Sequence, residues 1–93
     1  MERKKLSPEE ILSDLAAIKD WRAENDRLSK RFEFENFAQA LEFVNRVGAI
    51  ADAHDHHPDI YFGWGYAEIT LTTHDRGGIT DFDFAVAREI DEI

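Results

Sequence analysis

The spacing of apolar residues changes period four times along this chain, and each change constrains the fold. Ile11, Leu12, Leu15 and Ile18 recur at three- and four-residue steps, the mark of a helix with one buried side. Ser7-Pro8-Glu9-Glu10 supplies an N-cap serine, a proline at the first helical position and a glutamate three residues after the cap, so a first helix is expected from there to about Asp20. From Leu28 the period drops to two: Leu28, Phe32 and Phe34 share one face, and Ser29, Arg31 and Glu33 the other. Trp21 to Glu24 is the expected hairpin partner of that strand, joined through Asn25-Asp26-Arg27. Helical spacing returns at Phe37, Leu41, Val44, Gly48 and Ala51, flanked by Ala38, Ala40 and Val47, and predicts the longest element from Asn36 to about His54. Pro58 forces His57 out of helical geometry, so the chain must leave this helix around His54 to His56. Alternation resumes at Ile60, Phe62 and Trp64, then at Ala67, Ile69, Leu71 and Thr73, two strands joined near Gly65. After a turn at Asp75 to Gly78, Thr80 and Asp83 repeat the capping pattern ahead of Phe82, Val86, Ile90 and Ile93. The expected architecture is a single α+β domain over residues 1–93: helix, two strands, helix, two strands, helix, with a four-stranded antiparallel sheet covered by helices on one face.

A chain of 93 residues builds one small core, and 43% hydrophobic content is too apolar for a disordered tail. Its formal charge of -9 repels phosphate backbones and anionic lipid, which disfavours direct nucleic-acid or membrane-surface binding. No apolar run approaches the roughly 18 residues that span a bilayer. The basic start, Arg3, Lys4 and Lys5, runs into Ser-Pro-Glu-Glu instead of a signal-peptide apolar region, so a cytoplasmic protein is expected. The absence of cysteine excludes disulfides, thiolate zinc sites and cysteine nucleophiles. Chemistry must come from histidine, carboxylates, hydroxyls or backbone.

All four histidines, His54, His56, His57 and His74, lie within twenty-one positions, three at a helix exit and one at a strand end. Imidazole is the side chain best placed to give and take protons near neutral pH, so acid-base catalysis without a cofactor is one reading. The plainer alternative is that polar residues gather at helix exits for solvation alone. A zinc site built from His56 or His57 with His74 and Asp52 or Asp59 is weakly supported: adjacent histidines rarely chelate one ion, and no His-Glu-x-x-His pattern occurs. No metal is expected.

Asp52-x-x-x-His56-His57-Pro58, followed by Trp64, His74 and Asp83 at intervals of five, nine and eight residues, resembles the signature of the pterin-4a-carbinolamine dehydratases. The resemblance extends to Trp21, Phe32-x-Phe34 with Phe37 and Ala40, the run Phe43-Val44-Asn45-Arg46-Val47, Leu71-Thr72-Thr73-His74 and Gly78-x-Thr80, covering roughly residues 20 to 91. Asp52 stands where a glutamate is common, and Trp64-Gly65-Tyr66 replaces a more usual aromatic-Asn stretch. The implied reaction removes water from a 4a-hydroxytetrahydropterin to give a quinonoid dihydropterin, as a step in tetrahydropterin recycling. Resemblance implies that His56 and His74 act as general acids or bases on the two sides of the ring, that His57 mainly holds the pterin, and that Asp83 serves the site. It further places Trp21, Asp52 and Thr73 among the substrate-binding residues. For Asp83 the helix cap explains the residue without reference to catalysis, and both roles are compatible.

The resemblance implies no cofactor, a pterin substrate supplied by a pterin-dependent hydroxylase, and assembly as a homodimer or homotetramer. Edge strands of a small sheet point the same way, because their unpaired backbone groups are usually covered or paired. The rival from another class is a non-catalytic binding module on the same fold, in the manner of relatives that serve as a transcriptional coactivator or assist assembly of a large carboxylase.

Overall fold

The computed structural model describes residues 4–93, so Arg3 of the basic start lies outside the described residues. Helix α1 spans Pro8–Leu15. Its capping box is closed both ways: the Ser7 hydroxyl accepts from the Glu10 amide at 3.2 Å, and the Glu10 carboxylate accepts from the Ser7 amide at 2.9 Å. That backbone donor, with the Ser7 hydroxyl, holds the Glu10 carboxyl below its usual range. The helix stops at Leu15 rather than near Asp20. Its last turns tighten into three-residue bonds, Ala17 to Asp14 and Ile18 to Leu15, and Asp20 is left-handed at φ 67°. This reversal lets Trp21 turn into the core, where it is 6% exposed.

Strand β1, Arg22–Glu24, and strand β2, Arg27–Glu33, form the expected hairpin. Asn25 and Asp26 make a two-residue turn with both φ angles positive, 52° and 62°, a geometry that Asn and Asp tolerate better than other side chains and that suits the twist of paired strands. Arg27 is therefore already in β2, opposite Glu24. Strands β3, Asp59–Gly63, and β4, Tyr66–Leu71, form the second hairpin, with Gly65 left-handed at φ 82°. Trp64 belongs to that turn and not to the strand, and it is 71% exposed. The sheet order is β1-β2-β4-β3 with every neighbouring pair antiparallel, the four-stranded α+β sheet that the periodicity predicts. Leu28, Ala67, Ile69 and Leu71 face the helices and are fully buried. Ser29, Arg31, Tyr61, Tyr66, Glu68 and Thr70 occupy the open face.

Helix α2 spans Phe37–His54, capped by the Asn36 side chain, which accepts from the Gln39 amide at 2.9 Å. Its buried stripe is Ala40, Phe43, Val47 and Ala51. The stripe read first from the sequence, through Phe37, Leu41, Val44 and Gly48, is rotated towards solvent, with Phe37 45% and Leu41 40% exposed. The helix carries more apolar surface than one side of a small core can cover, and the ring that wins is Phe43, packed 4.6 Å from Phe32 and 5.0 Å from Phe34. Helix α3, Asp81–Asp91, closes the core through Phe84, Val86, Ala87 and Ile90. Among the described residues no helix is long and apolar enough to cross a membrane.

Candidate active site

Two chain reversals bring the histidines together. The first is the exit of α2. Asp55 takes the left-handed conformation at φ 49°, its amide donates to the Asp52 carbonyl at 3.2 Å, and the His56 amide donates back to the Ala51 carbonyl at 3.0 Å. This is a Schellman-type stop, and Pro58 prevents the helix from resuming. The second follows β4, where the Thr73 amide donates to the Gly78 carbonyl at 3.0 Å and a single 3₁₀ turn, His74–Arg76, loops out between them. His74 stands at the start of that turn.

A cleft of about 290 Å³ opens between the two reversals, lined by Asp55, His56, His57, Thr72, Thr73, His74 and Asp75. The structure thus gathers His56, His57, His74 and Thr73 of the residues expected at the site. Asp83 sits directly behind them, fully buried at the first turn of α3. Each of its oxygens is used. Oδ2 accepts from the Thr80 amide and from the Thr73 hydroxyl, both at 2.9 Å, and Oδ1 lies 2.5 Å from Nε2 of His56. The Thr80 hydroxyl lies 2.7 Å from that of Thr73, which must accept there because its own proton is committed to Asp83. An ionised carboxylate only accepts, so His56 donates from Nε2 and its tautomer is fixed.

Nδ1 of His56 then has a defined position. Among the described residues no buried side-chain nitrogen or oxygen lacks a partner, and Nδ1 has none, so it keeps some exposure to solvent on a residue that lines the cleft. His56 as a whole is only 7% exposed, and the Phe82 ring packs 5.9 Å from it. The outcome is an imidazole clamped on one nitrogen by a buried anion, with the other open to a ligand. This is the arrangement that general acid-base chemistry requires.

His57 is exposed, with Nε2 2.9 Å from Oδ1 of Asp52. Asp52 reaches the site only through that contact. Its own side chain is 81% solvent-exposed. His74 is exposed, and among the described residues nothing bonds its ring. Thr73 borders the cleft, but its hydroxyl is spent on Asp83 and Thr80. Trp21 is not brought to the cleft: its indole N–H donates to Oδ2 of Asp91 at 2.9 Å, at the opposite end of α3 from Asp83. A larger hollow of about 640 Å³ lies at that end, bordered by Lys30, Phe32, Phe43, Arg46 and Asp91, and it contains no imidazole. His54 turns away to pair with Glu89 on α3. Among the described residues no three histidine, aspartate or glutamate side chains converge as a metal-binding group, and Asp59 sits exposed in β3 opposite Thr70.

Asp55, Thr72 and Asp75 line the cleft and Thr80 stands behind it, and none of the four was singled out as a site residue from the sequence. The cap pattern at Thr80-x-x-Asp83 was the available signal for Thr80, because a hydroxyl that caps a helix at its N-terminus lies beside the capping carboxylate.

Comparison with known proteins bears on the family and the fold. Residues 4–93 match the family model described as pterin 4 alpha carbinolamine dehydratase. A relative from Chloroflexus aurantiacus, named "Putative pterin-4-alpha-carbinolamine dehydratase", is 45% identical over 89 residues, covering 96% of both chains. One of the same name from Metallosphaera sedula is 42% identical over 89 residues, 96% of this chain and 93% of its own. Among solved structures, a transcriptional coactivator/pterin dehydratase from Brucella melitensis superposes with a TM-score of 0.92 at 26% identity, over 96% of this chain and 97% of its own. A pterin dehydratase-like protein described as a RuBisCO assembly factor in the alpha-carboxysome superposes with a TM-score of 0.64 at 29% identity, over 77% of this chain and 83% of its own. By sequence match, fold and the histidines gathered at one cleft, the chain belongs to the pterin-4a-carbinolamine dehydratase family.

Proposed function

We propose that the protein dehydrates a 4a-hydroxytetrahydropterin to the quinonoid dihydropterin and water, by general acid-base catalysis from its histidines, as a step in tetrahydropterin recycling. The observation that carries this reading is His56: Nε2 is clamped by a buried carboxylate, Nδ1 is left without a protein partner, and the residue lines one cleft with His57 and His74.

The chemistry needs two proton transfers. The C4a–O bond breaks easily only if the departing hydroxide takes a proton and leaves as water, and the adjacent N5 must give up its proton as the C4a=N5 double bond forms. One imidazolium supplies the first proton, one neutral imidazole accepts the second, and the reaction releases no net proton. His56 and His74, which both line the cleft, fill these two roles. His57, steadied by Asp52, holds the ring. Asp83 fixes the orientation and tautomer of His56, and Thr73 and Thr80 hold Asp83 in turn.

The substrate ring is essentially uncharged near neutrality, so the charge of -9 sets no electrostatic barrier to it. The β3 edge and the exposed Phe37 and Leu41 on α2 suit a homodimer or homotetramer. A pterin-dependent hydroxylase is the enzyme class that would supply the carbinolamine. The test is to generate the carbinolamine in place with such a hydroxylase and follow its decay. The reading requires acceleration above the spontaneous rate, and its absence favours a non-catalytic assembly or coactivator module on this fold.

A further inference from the structure

Three of the four histidines line the cleft, and the fourth does not. His54 is the last residue of α2, and its Nε2 bonds the carboxylate of Glu89 on α3. Two positions on, Nε2 of His56 bonds Asp83 on the same helix, and the left-handed Asp55 stands between the two histidines. The reversal that delivers His56 to the cleft is therefore fastened to α3 on both sides. Asp83 and Glu89 are six residues apart on α3, which at about 1.5 Å per residue sets the two fastenings about 9 Å apart along that helix.

We propose, on the footing of the dehydratase reading, that His54 and Glu89 are a positioning pair: their bond fixes the last turn of α2 against α3 and so sets the angle at which the His56 ring meets the substrate. Neither residue lines the cleft, so neither is placed to touch the substrate itself. Burial shows why the turn needs such a bond. Ala51 and His56 are buried, but of the four residues between them Asp52, Ala53 and Asp55 are exposed and His54 alone is half-buried. The body of α2 is held by its buried stripe, which ends at Ala51. Beyond that point the turn has one half-buried side chain with which to grip the rest of the molecule, and that side chain reaches Glu89.

One bond between two elements is a pivot, and two bonds set apart fix an angle. The His56–Asp83 bond is the pivot here, and the Phe82 ring that packs 5.9 Å from His56 belongs to the same turn of α3, so it lies at the same point. The His54–Glu89 bond, about 9 Å further along α3, removes the rotation that the first bond leaves free. A carboxylate accepts from a neutral or a charged imidazole alike, so the fastening requires only that Nε2 of His54 carry a proton. Proton transfer depends steeply on the orientation of the ring, so loss of the pair falls on the chemical step more than on binding. The pair is partly open to solvent, with the His54 side chain 27% and that of Glu89 49% exposed, which keeps its effect moderate.

The test measures kcat and KM in His54→Ala, Glu89→Ala and the double variant, together with the Nε2–H proton resonance of His56 in the free protein. Ser7→Ala, which opens the cap of α1, is the control for a plain loss of stability. Each single variant should lower kcat about three- to tenfold with a smaller change in KM, and the double should be no slower than the slower single, because the same bond is lost in all three. The His56 Nε2–H proton should exchange with solvent faster in those three and keep its wild-type behaviour in Ser7→Ala. Folded single variants with wild-type kcat, losses that multiply in the double, or a His56 resonance that does not respond would overturn the positioning role while leaving the dehydratase reading standing. A wild type that fails to accelerate decay of the carbinolamine removes that reading instead, and the His56 resonance then decides the pair on its own.

Discussion

Replacing Asp83 by asparagine separates the catalytic and capping roles of one buried side chain. The carboxylate has three donors to satisfy: the Thr80 amide and Thr73 hydroxyl at Oδ2, and His56 at Oδ1. Asparagine has one oxygen, and it is best kept where two donors converge. Its NH₂ group then faces Nε2 of His56, where two donors cannot meet. The imidazole must give up its Nε2 proton and carry it on Nδ1, which reverses the tautomer and presents the wrong nitrogen state to the cleft. The helix cap survives, and its loss alone would cost about 1 kcal/mol. What disappears is a charge-assisted bond in a fully buried site, worth about 1.5–3 kcal/mol. For a domain of this length that corresponds to a fall in Tm on the order of 10 °C, and the variant should remain folded at room temperature. Turnover should fall on the order of 100-fold, the lower end for acid-base catalysis, because the uncatalysed loss of water is already appreciable. Thermal unfolding and initial rates measure both quantities. A folded variant with wild-type turnover would return Asp83 to a capping role and refute the reasoning.

The other expectations follow from the same geometry. His56→Ala and His74→Ala should each lower turnover by roughly 100-fold with the fold intact, checked by circular dichroism beside the rate; wild-type rates in both would remove them from the mechanism. Activity should survive prolonged dialysis against a chelator, and loss restored by zinc would replace the imidazole mechanism with a metal site. Leu41→Glu, on the exposed side of α2, should shift sedimentation at micromolar concentration towards a smaller particle; a wild type that already sediments near 11 kDa would show that this face is not an interface.

The order of elements and the sheet were legible because period-two and helical spacing are each imposed by backbone geometry, and the capping boxes at Ser7 and Thr80 mark helix starts by hydrogen-bond chemistry. The histidine cleft was legible for a related reason. Pro58 fixes where α2 must end, and a helix exit next to a strand end is a local fact with a predictable place. Long-range packing was less visible. Trp21 reads equally well as ligand wall or core, and only the position of Asp91, seventy residues on, sends it to the far end of α3. The choice of Phe43 over Phe37 as the buried ring of α2 depends on Phe32 and Phe34 across the sheet, which no helical pattern contains. Phe84 was missed because its neighbours Phe82 and Val86 already completed a stripe. Trp64 was assigned to a strand because alternation continues through a tight turn when the turn residue is large and apolar.

The central claim is that the imidazoles facing this cleft move the protons of dehydration. Its most direct test is single-turnover decay of the 4a-carbinolamine, followed by its ultraviolet absorbance with enzyme in excess, in the wild type and in the His56→Ala/His74→Ala double variant. The account predicts that the wild type speeds the decay well above the spontaneous rate and that the folded double variant decays at nearly the spontaneous rate. A double variant as fast as the wild type would contradict it.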